Sequence, residues 1–143
     1  MKILSIKLTG VVLLNSLKVF TDTSREYGEW EVEPEFTIGF NDNNQCIQNV
    51  EVEVIRTIGI QHASIRTKTS FELVLGTKEY IPATDEDFEA YALFQQLSIA
   101  HTRAFFLKET RGTKFQNGLI PVDSNYHAIQ KVKFAVFNTN RLN

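Results

Sequence analysis

Residues 3–75 alternate between apolar and polar positions in the way that β-strands do. The segment Ile3–Phe20 is rich in Ile, Leu and Val, and Gly10 within it predicts a bend or bulge. The polar residues 21–28 predict a loop. Residues 29–40 alternate strictly, and Pro34 favours an edge position or a bulge, because proline has no N–H to donate to a ladder. The Asn-Asp-Asn-Asn tract at 41–44 predicts a turn.

Two further strands are predicted after this turn. Val50, Val52 and Val54 alternate with Glu51 and Glu53. A turn near residues 59–63 has no clear boundary, and the alternation then resumes through residues 64–75. The simplest architecture for four consecutive strands of this kind is an antiparallel sheet.

The apolar spacing then changes from two to about 3.6 residues, which predicts one long helix. Thr84 is a suitable N-cap, and acidic residues occupy the first turn, where the helix dipole favours them. No Gly or Pro interrupts the chain until Gly112, which is expected to cap the C-terminal end.

The predicted helix has more apolar sides than one sheet is able to cover. One stripe is expected to be its core face: Leu93, Leu97, Ala100, Ala104 and Leu107. Further apolar residues lie on a second side (Phe88, Ala92, Ile99, Phe106) and on a third (Phe94, Phe105). Such a helix is either central to a large core or shared with another subunit, and four strands do not make a large core. We therefore expect a homo-oligomer that assembles through the helix.

The C-terminal part is patterned less clearly. Residues 112–122 contain two glycines and one proline, which predicts a loop, and loops often carry function. In residues 128–137 the apolar positions fit both a strand and a helix, so both alternatives remain open.

Charge is distributed unevenly along a chain whose net charge is only -2. Residues 21–53 carry nine acidic side chains and one basic side chain. Four glutamates at alternate positions from 29 to 35 lie on one face of their strand, while Trp30, Val32 and Phe36 lie on the other. The glutamate face is either a solvated surface or an acidic docking surface, and Arg66 and Lys68 on a later strand are suitable partners for it. The overall sign of the charge disfavours nucleic-acid binding.

The 143 residues fit a single domain at 1–143. One cysteine, Cys46, excludes an intrachain disulfide and favours a reducing compartment, so the cytoplasm is expected. No apolar run approaches the roughly 20 residues that span a bilayer. His62, His101 and His127 are too widely spaced for a local metal motif, and no nucleophile, phosphate loop or cofactor motif accompanies them. We expect no metal, no cofactor and no enzymatic activity, although a small-molecule enzyme with dispersed polar groups stays an alternative.

Two segments resemble one family. Residues 28–35 read Gly-Glu-Trp-Glu-Val-Glu-Pro-Glu and resemble the second strand of SecB-type export chaperones. Residues 100–104 and 110–113, followed by the Leu-Ile-Pro-Val element at 119–122, resemble the main helix of that family, its Arg-Gly-Thr end and its crossing loop. The resemblance implies an α+β fold with a four-stranded antiparallel sheet, a long helix packed on one face, and assembly as a dimer of dimers.

The resemblance also implies a function and a set of residues. SecB-type chaperones hold unfolded or secretory chains in apolar grooves without ATP, so the partners expected here are unfolded polypeptide clients. Groove residues carried over by position are Trp30, Phe36, Phe106, Phe115, Leu119 and Ile120. The expected oligomer interface comprises Tyr91, Phe94, His101 and Phe105. Glu51 and Glu53 are the expected acidic face for the export ATPase SecA.

Two functional alternatives follow from the end of the sequence. The last five residues, 139–143, lack the Cys and His of the zinc-binding tail with which export members engage SecA. The leading prediction is an ATP-independent holdase that serves protein export or other clients, and this absence leaves room for the alternative of a SecB-like protein with one dedicated partner, such as an antitoxin. Neither the client nor the exact oligomeric state follows from the sequence.

Overall fold

The computed structural model describes residues 1–40, 45–116 and 134–138. The strands are β1 (Ile3–Thr21), β2 (Trp30–Phe40), β3 (Gln45–Ile58), β4 (Gln61–Leu75) and β5 (Phe134–Asn138), and the helix is α1 (Asp85–Glu109). They form one sheet in the order β1-β4-β3-β2-β5, and α1 packs on one face of it. The predicted α+β class is confirmed.

The sheet is mixed, with one strand more than expected. β1 to β4 pair in antiparallel fashion, as predicted, whereas β5 runs parallel to β2 and pairs with it from Phe36 onward. The part of the 128–137 segment that the structure describes is therefore a strand. Pro34 lies in the half of β2 that β5 does not reach, which agrees with its predicted edge position. The predicted turn at 41–44 and the loop at 117–122 lie outside the described residues.

β1 is a heavily bulged strand. It uses 19 residues to pair with the 15 residues of β4, with register shifts between Ile3 and Ser5, between Leu8 and Gly10, and at two places beyond Leu13. Each shift inserts one extra residue into β1. The shift at Gly10 confirms the predicted bulge, and it lets residues three apart face the same side of the sheet.

α1 begins and ends with the chemistry that its sequence predicts. The Thr84 hydroxyl accepts from the Asp87 N–H at 3.2 Å, and the Asp87 carboxylate accepts from the Thr84 N–H at 3.2 Å, which makes a reciprocal capping box. The helix ends at Glu109 with Thr110 as its C-cap, and Gly112 follows with a φ of 80°. Glycine adopts this left-handed conformation at little cost.

The residues that α1 buries are not those of the expected core stripe. Its sheet-facing side carries Tyr91, Phe94, Ile99 and Phe106 together with Ser98 and Thr102, all of them buried. The stripe Leu93, Leu97, Ala100, Ala104 and Leu107 is exposed, and Leu93 keeps 49% of its accessible surface. The prediction failed because it placed every Ser and Thr outward, whereas these hydroxyls find partners inside.

Candidate functional site

Two of the apolar surfaces that the described chain leaves uncovered border α1. The first is the exposed stripe on α1, which we call the helix stripe: Leu93, Leu97, Ala100, Ala104 and Leu107. The second is the face of β1 next to α1, where Ile6 is 46% exposed and Leu8 is 49% exposed. We call the space between β1 and α1 the β1–α1 groove.

The ladder register fixes which β1 side chains border this groove. Residues directly opposite in a ladder share a face. Ile6 lies opposite Leu73, Leu8 opposite Phe71 and Val11 opposite Thr69. Those β4 residues belong to the α1 side of the sheet, because the Phe71 ring lies 4.7 Å from that of Phe94. Ile6, Leu8 and Val11 therefore all face the α1 side, beyond the strip of sheet that the helix covers.

One end of the groove is an open cavity of about 480 Å³. Ile3 and Ile6 line it from β1 and Ala90 lines it from α1, together with Met1 and the polar residues Lys2, Thr84, Glu86 and Asp87. Seven residues make nearly two helical turns, so Leu97 lies on the same side of α1 as Ala90, and Ala104 follows at the same spacing. The groove is thus bordered along α1 by members of the helix stripe.

His101 is the polar group that borders the groove farther along. Its Nδ1 lies 3.2 Å from the Thr69 hydroxyl, and Thr69 is the β4 residue opposite Val11 of β1. Burial lowers the pKa of the His101 imidazole. The His101 ring thus lies between α1 and the paired strands β1 and β4, which border the groove.

Hydroxyl and amide groups join α1 to the middle of the sheet. The Thr67 and Thr102 hydroxyls are 2.7 Å apart, and the Tyr91 hydroxyl donates to Gln48 Oε1 at 2.5 Å. Gln48 Nε2 donates to the carbonyl of Asn49 at 3.1 Å. Burial raises the pKa of Tyr91, so this phenol stays a donor. These bonds fix the helix over β3 and β4 and leave its opposite side free.

The predicted groove residues are mostly in the core. Phe36 and Phe106 are 1% exposed and Phe115 is 2% exposed, so these three lie in the core of the single chain, and their part in client binding stays a prediction. Trp30 is half-buried, with its ring 5.3 Å from that of Phe106 and the Arg56 guanidinium 4.8 Å from its centroid. Leu119 and Ile120 lie outside the described residues.

The predicted interface residues face the sheet. Tyr91 and Phe94 are each 1% exposed, so both are buried within the single chain, and their part in an oligomer interface stays a prediction. Phe105 is partly buried against the core, and His101 bonds to Thr69. Apolar surface does remain for an interface, but Leu and Ala residues provide it instead of aromatic ones.

The glutamates of β2 and β3 are aligned on the outer face of the sheet, opposite α1. Glu33 lies opposite Glu53, which lies opposite Arg66. In the next row across the sheet, Glu35 lies opposite Glu51, and Glu51 lies opposite Lys68. The cations expected to face the β2 glutamates thus lie directly opposite Glu51 and Glu53 of β3 instead, although Arg66 also reaches Glu35 of β2 at 4.0 Å.

A polar cluster at one end of the sheet was missed from the sequence. Asp22 accepts from Tyr27 and Ser24, which are the main reasons that its pKa falls to about 2. The Tyr27 ring lies 3.9 Å from that of His62. His62 Nδ1 lies 2.8 Å from the Thr57 hydroxyl, and a hollow of about 200 Å³ lies beside the cluster. His62 is thus a buried histidine with a partner at each ring nitrogen, and the cluster fixes the β1–β2 loop to the β3–β4 hairpin.

Further chemistry is limited in the part of the chain that the structure describes. No three His, Cys, Asp or Glu side chains there are grouped closely enough to hold a metal ion. Among the same residues, no helix is both long enough and apolar enough to cross a membrane.

A bulged, mostly antiparallel sheet with one parallel edge strand and one long helix across it is similar to the SecB-like fold. Comparison with solved structures bears this out. The chain matches the SecB-like chaperone Rv1957 of Mycobacterium tuberculosis, solved in complex with a ChAD peptide from the Rv1956 HigA1 antitoxin. The TM-score is 0.50 at 13% identity, over 82% of this chain and 87% of that one.

A second solved structure extends the comparison. A Streptococcus agalactiae protein of unknown function matches with a TM-score of 0.56 at 6% identity, over 86% of this chain and 99% of that one. No protein-family model matches the sequence, and no curated protein matches it significantly. At these identities the similarity shows a shared fold, and function has to be argued from the surfaces.

Proposed function

We propose that this protein is a SecB-like, ATP-independent chaperone of the cytoplasm that binds extended polypeptide segments in the β1–α1 groove. The observation that carries the proposal is the apolar surface left open on this fold. Ile6 and Leu8 on β1 are about half exposed, next to an open cavity and an apolar helix wall. A surface of this kind is unusual unless another molecule covers it.

The groove suits a polypeptide with no fixed sequence. Covering a large aliphatic side chain completely stabilises a complex by roughly 1.5–3 kcal/mol and needs no particular partner group. Within the described residues, β1 pairs on one side only, with β4, so it also presents main-chain donors and acceptors. Apolar pockets and an open strand edge are the two elements with which extended peptides are commonly held.

We further propose that the helix stripe joins copies of the chain into a homo-oligomer. Its residues recur at alternating spacings of four and three, as in the seam of two packed helices. Ala100 and Ala104 at its centre permit close approach. A dimer of dimers, with the helices between the dimers, covers this stripe and leaves the β1–α1 groove at its border.

An aggregation assay tests the chaperone proposal. The protein is expected to suppress light scattering from heat-unfolded citrate synthase near stoichiometric ratio without ATP. The double variant Ile6→Ser/Leu8→Ser should need about thirtyfold more protein, because the two substitutions together remove roughly 2 kcal/mol of apolar contact. Ile60→Ser is the matched control, since Ile60 is 69% exposed at the tip of the β3–β4 hairpin.

A wild-type protein that leaves the scattering unchanged would refute the proposal. Equal loss of activity in the groove variant and in the Ile60 control would show that the groove is not the site. Circular dichroism and thermal melts of each variant separate loss of binding from loss of fold.

A dedicated partner is the second candidate function, because the Mycobacterium tuberculosis neighbour was solved with an antitoxin peptide. The two candidates differ in selectivity. A general holdase binds several unrelated unfolded chains with similar affinity. A dedicated chaperone binds none of them tightly and co-purifies with one partner at fixed stoichiometry.

We do not extend the proposal to SecA. Glu51 and Glu53 are the residues expected to dock it, but they lie opposite Lys68 and Arg66. These two cations offset only part of the charge of the four glutamates in the two rows, Glu33, Glu35, Glu51 and Glu53, and the register does not show which partner such a face would dock.

A further inference from the structure

The β1–α1 groove is bordered by a histidine, His101. His101 lies on the groove side of α1, three residues before Ala104 and four after Leu97. Its Nδ1 is engaged with the Thr69 hydroxyl, and the side chain is half-buried. An imidazole in this position adds a positive charge to an apolar surface whenever it takes up a proton.

The surroundings of His101 offer little compensation for that charge. The neighbouring β4 residues on the α1 side are Thr67, Thr69 and Phe71, and those of β1 are Leu8, Val11 and Leu13, all of them uncharged. β3 presents the Cys46 thiol and the Arg56 guanidinium to the α1 side, and Arg56 stacks on Trp30. None of the described residues on these three strands therefore brings a carboxylate to His101.

The helix itself adds only positive charge nearby. Lys108 follows seven residues later on the same side of α1, about 10 Å along the axis. Arg103 is nearer in sequence but points about 160° away around the helix. Burial already lowers the pKa of His101, and a bound apolar chain would remove more water from the ring.

We propose that His101 makes polypeptide binding in the β1–α1 groove pH-dependent, with tight binding when the imidazole is neutral and release on acidification. This inference rests on the proposed function and specifies its regulation. The sign follows from linkage: a ligand that disfavours protonation binds more weakly as pH falls through the pKa of the free protein. A further lowering of the His101 pKa by one unit corresponds to a tenfold change in affinity.

Fluorescence anisotropy with labelled, reduced and carboxymethylated α-lactalbumin tests this proposal. The wild-type Kd is expected to rise about fivefold between pH 7.5 and pH 5.5, within the tenfold limit set by a one-unit shift. His101→Gln keeps a polar group for Thr69 but does not titrate, so its Kd should change less than twofold. Titration of the probe itself affects both proteins equally and cancels in the comparison.

Each outcome decides a different question. An equal pH dependence in the wild type and His101→Gln, or none in the wild type, would overturn the role of His101 alone. Absence of binding at pH 7.5 would overturn the proposed function and, with it, the regulation. Melting curves at both pH values show whether the variant is folded where binding is measured.

Discussion

Individual polar residues decide which side of α1 meets the sheet. Ser98 and Thr102 lie on the buried side, where the Thr102 hydroxyl meets that of Thr67 and both helix hydroxyls also bond to backbone carbonyls one turn earlier. Tyr91 reaches Gln48 in the same layer. Because these pairings join residues far apart in the sequence, apolar spacing alone could not predict them, and it favoured the wrong stripe.

The Tyr91–Gln48 bond is expected to contribute measurably to stability. Tyr91→Phe leaves Gln48 Oε1 without its buried donor, and the free energy of unfolding should fall by about 1–3 kcal/mol. Urea denaturation of Tyr91→Phe, Gln48→Leu and the double variant gives the coupling. We expect the double variant to lose less free energy of unfolding than the sum of the two single variants, because it no longer contains a buried Gln48 Oε1 without a donor. If the stability losses of the two single variants add up to that of the double variant, a direct bond between Tyr91 and Gln48 is contradicted.

Local signals at single residues were more reliable. The Thr84 N-cap and the bulge at Gly10 could both be predicted, because each depends on nearby backbone geometry. The alternating glutamates also gave the correct face of β2, and Lys68 and Arg66 were found opposite Glu51 and Glu53. These features follow from strand periodicity and from the turn and cap preferences of single residues.

At the level of elements, β1 shows what sequence periodicity does not reveal. A regular strand alternates its faces, whereas β1 brings Leu8 and Val11 to the same face because an extra residue intervenes at Gly10. Its nearly continuous apolar run is therefore divided between two faces. The apolar run in β1 is therefore the sequence feature from which the groove could have been predicted.

The helix stripe is the element that should control assembly. Ala100→Glu places a charge at its centre, where a helix of a second copy would approach, and should shift the protein to a smaller species. Ala83→Glu is the matched control, because Ala83 is exposed just before α1 and outside the stripe. Sedimentation velocity distinguishes the species. A wild-type monomer, or an Ala100→Glu protein of unchanged size, would contradict assembly through the stripe.

For the whole molecule, the class of fold could be predicted well and the location of the groove could not. Four antiparallel strands followed by one long helix were expected from the change in apolar period, and the SecB-like comparison agrees. The parallel strand β5 was ambiguous in the sequence. The aromatic residues expected in the groove, such as Phe36 and Phe106, instead fill the layer between sheet and helix. Large aromatic side chains suit a groove and a core equally well, so their location depends on the packing of the sheet and the helix.

The location of a bound polypeptide is the property on which the proposed function depends most directly. Cys46 is 1% exposed, so a Cys46→Ala background allows one added cysteine to carry a benzophenone photo-crosslinker. With the probe at Leu8→Cys, ultraviolet light should crosslink reduced, carboxymethylated α-lactalbumin efficiently, and with the probe at Ile60→Cys only at background level. Equal crosslinking at both positions, or none at Leu8, would contradict polypeptide binding in the β1–α1 groove.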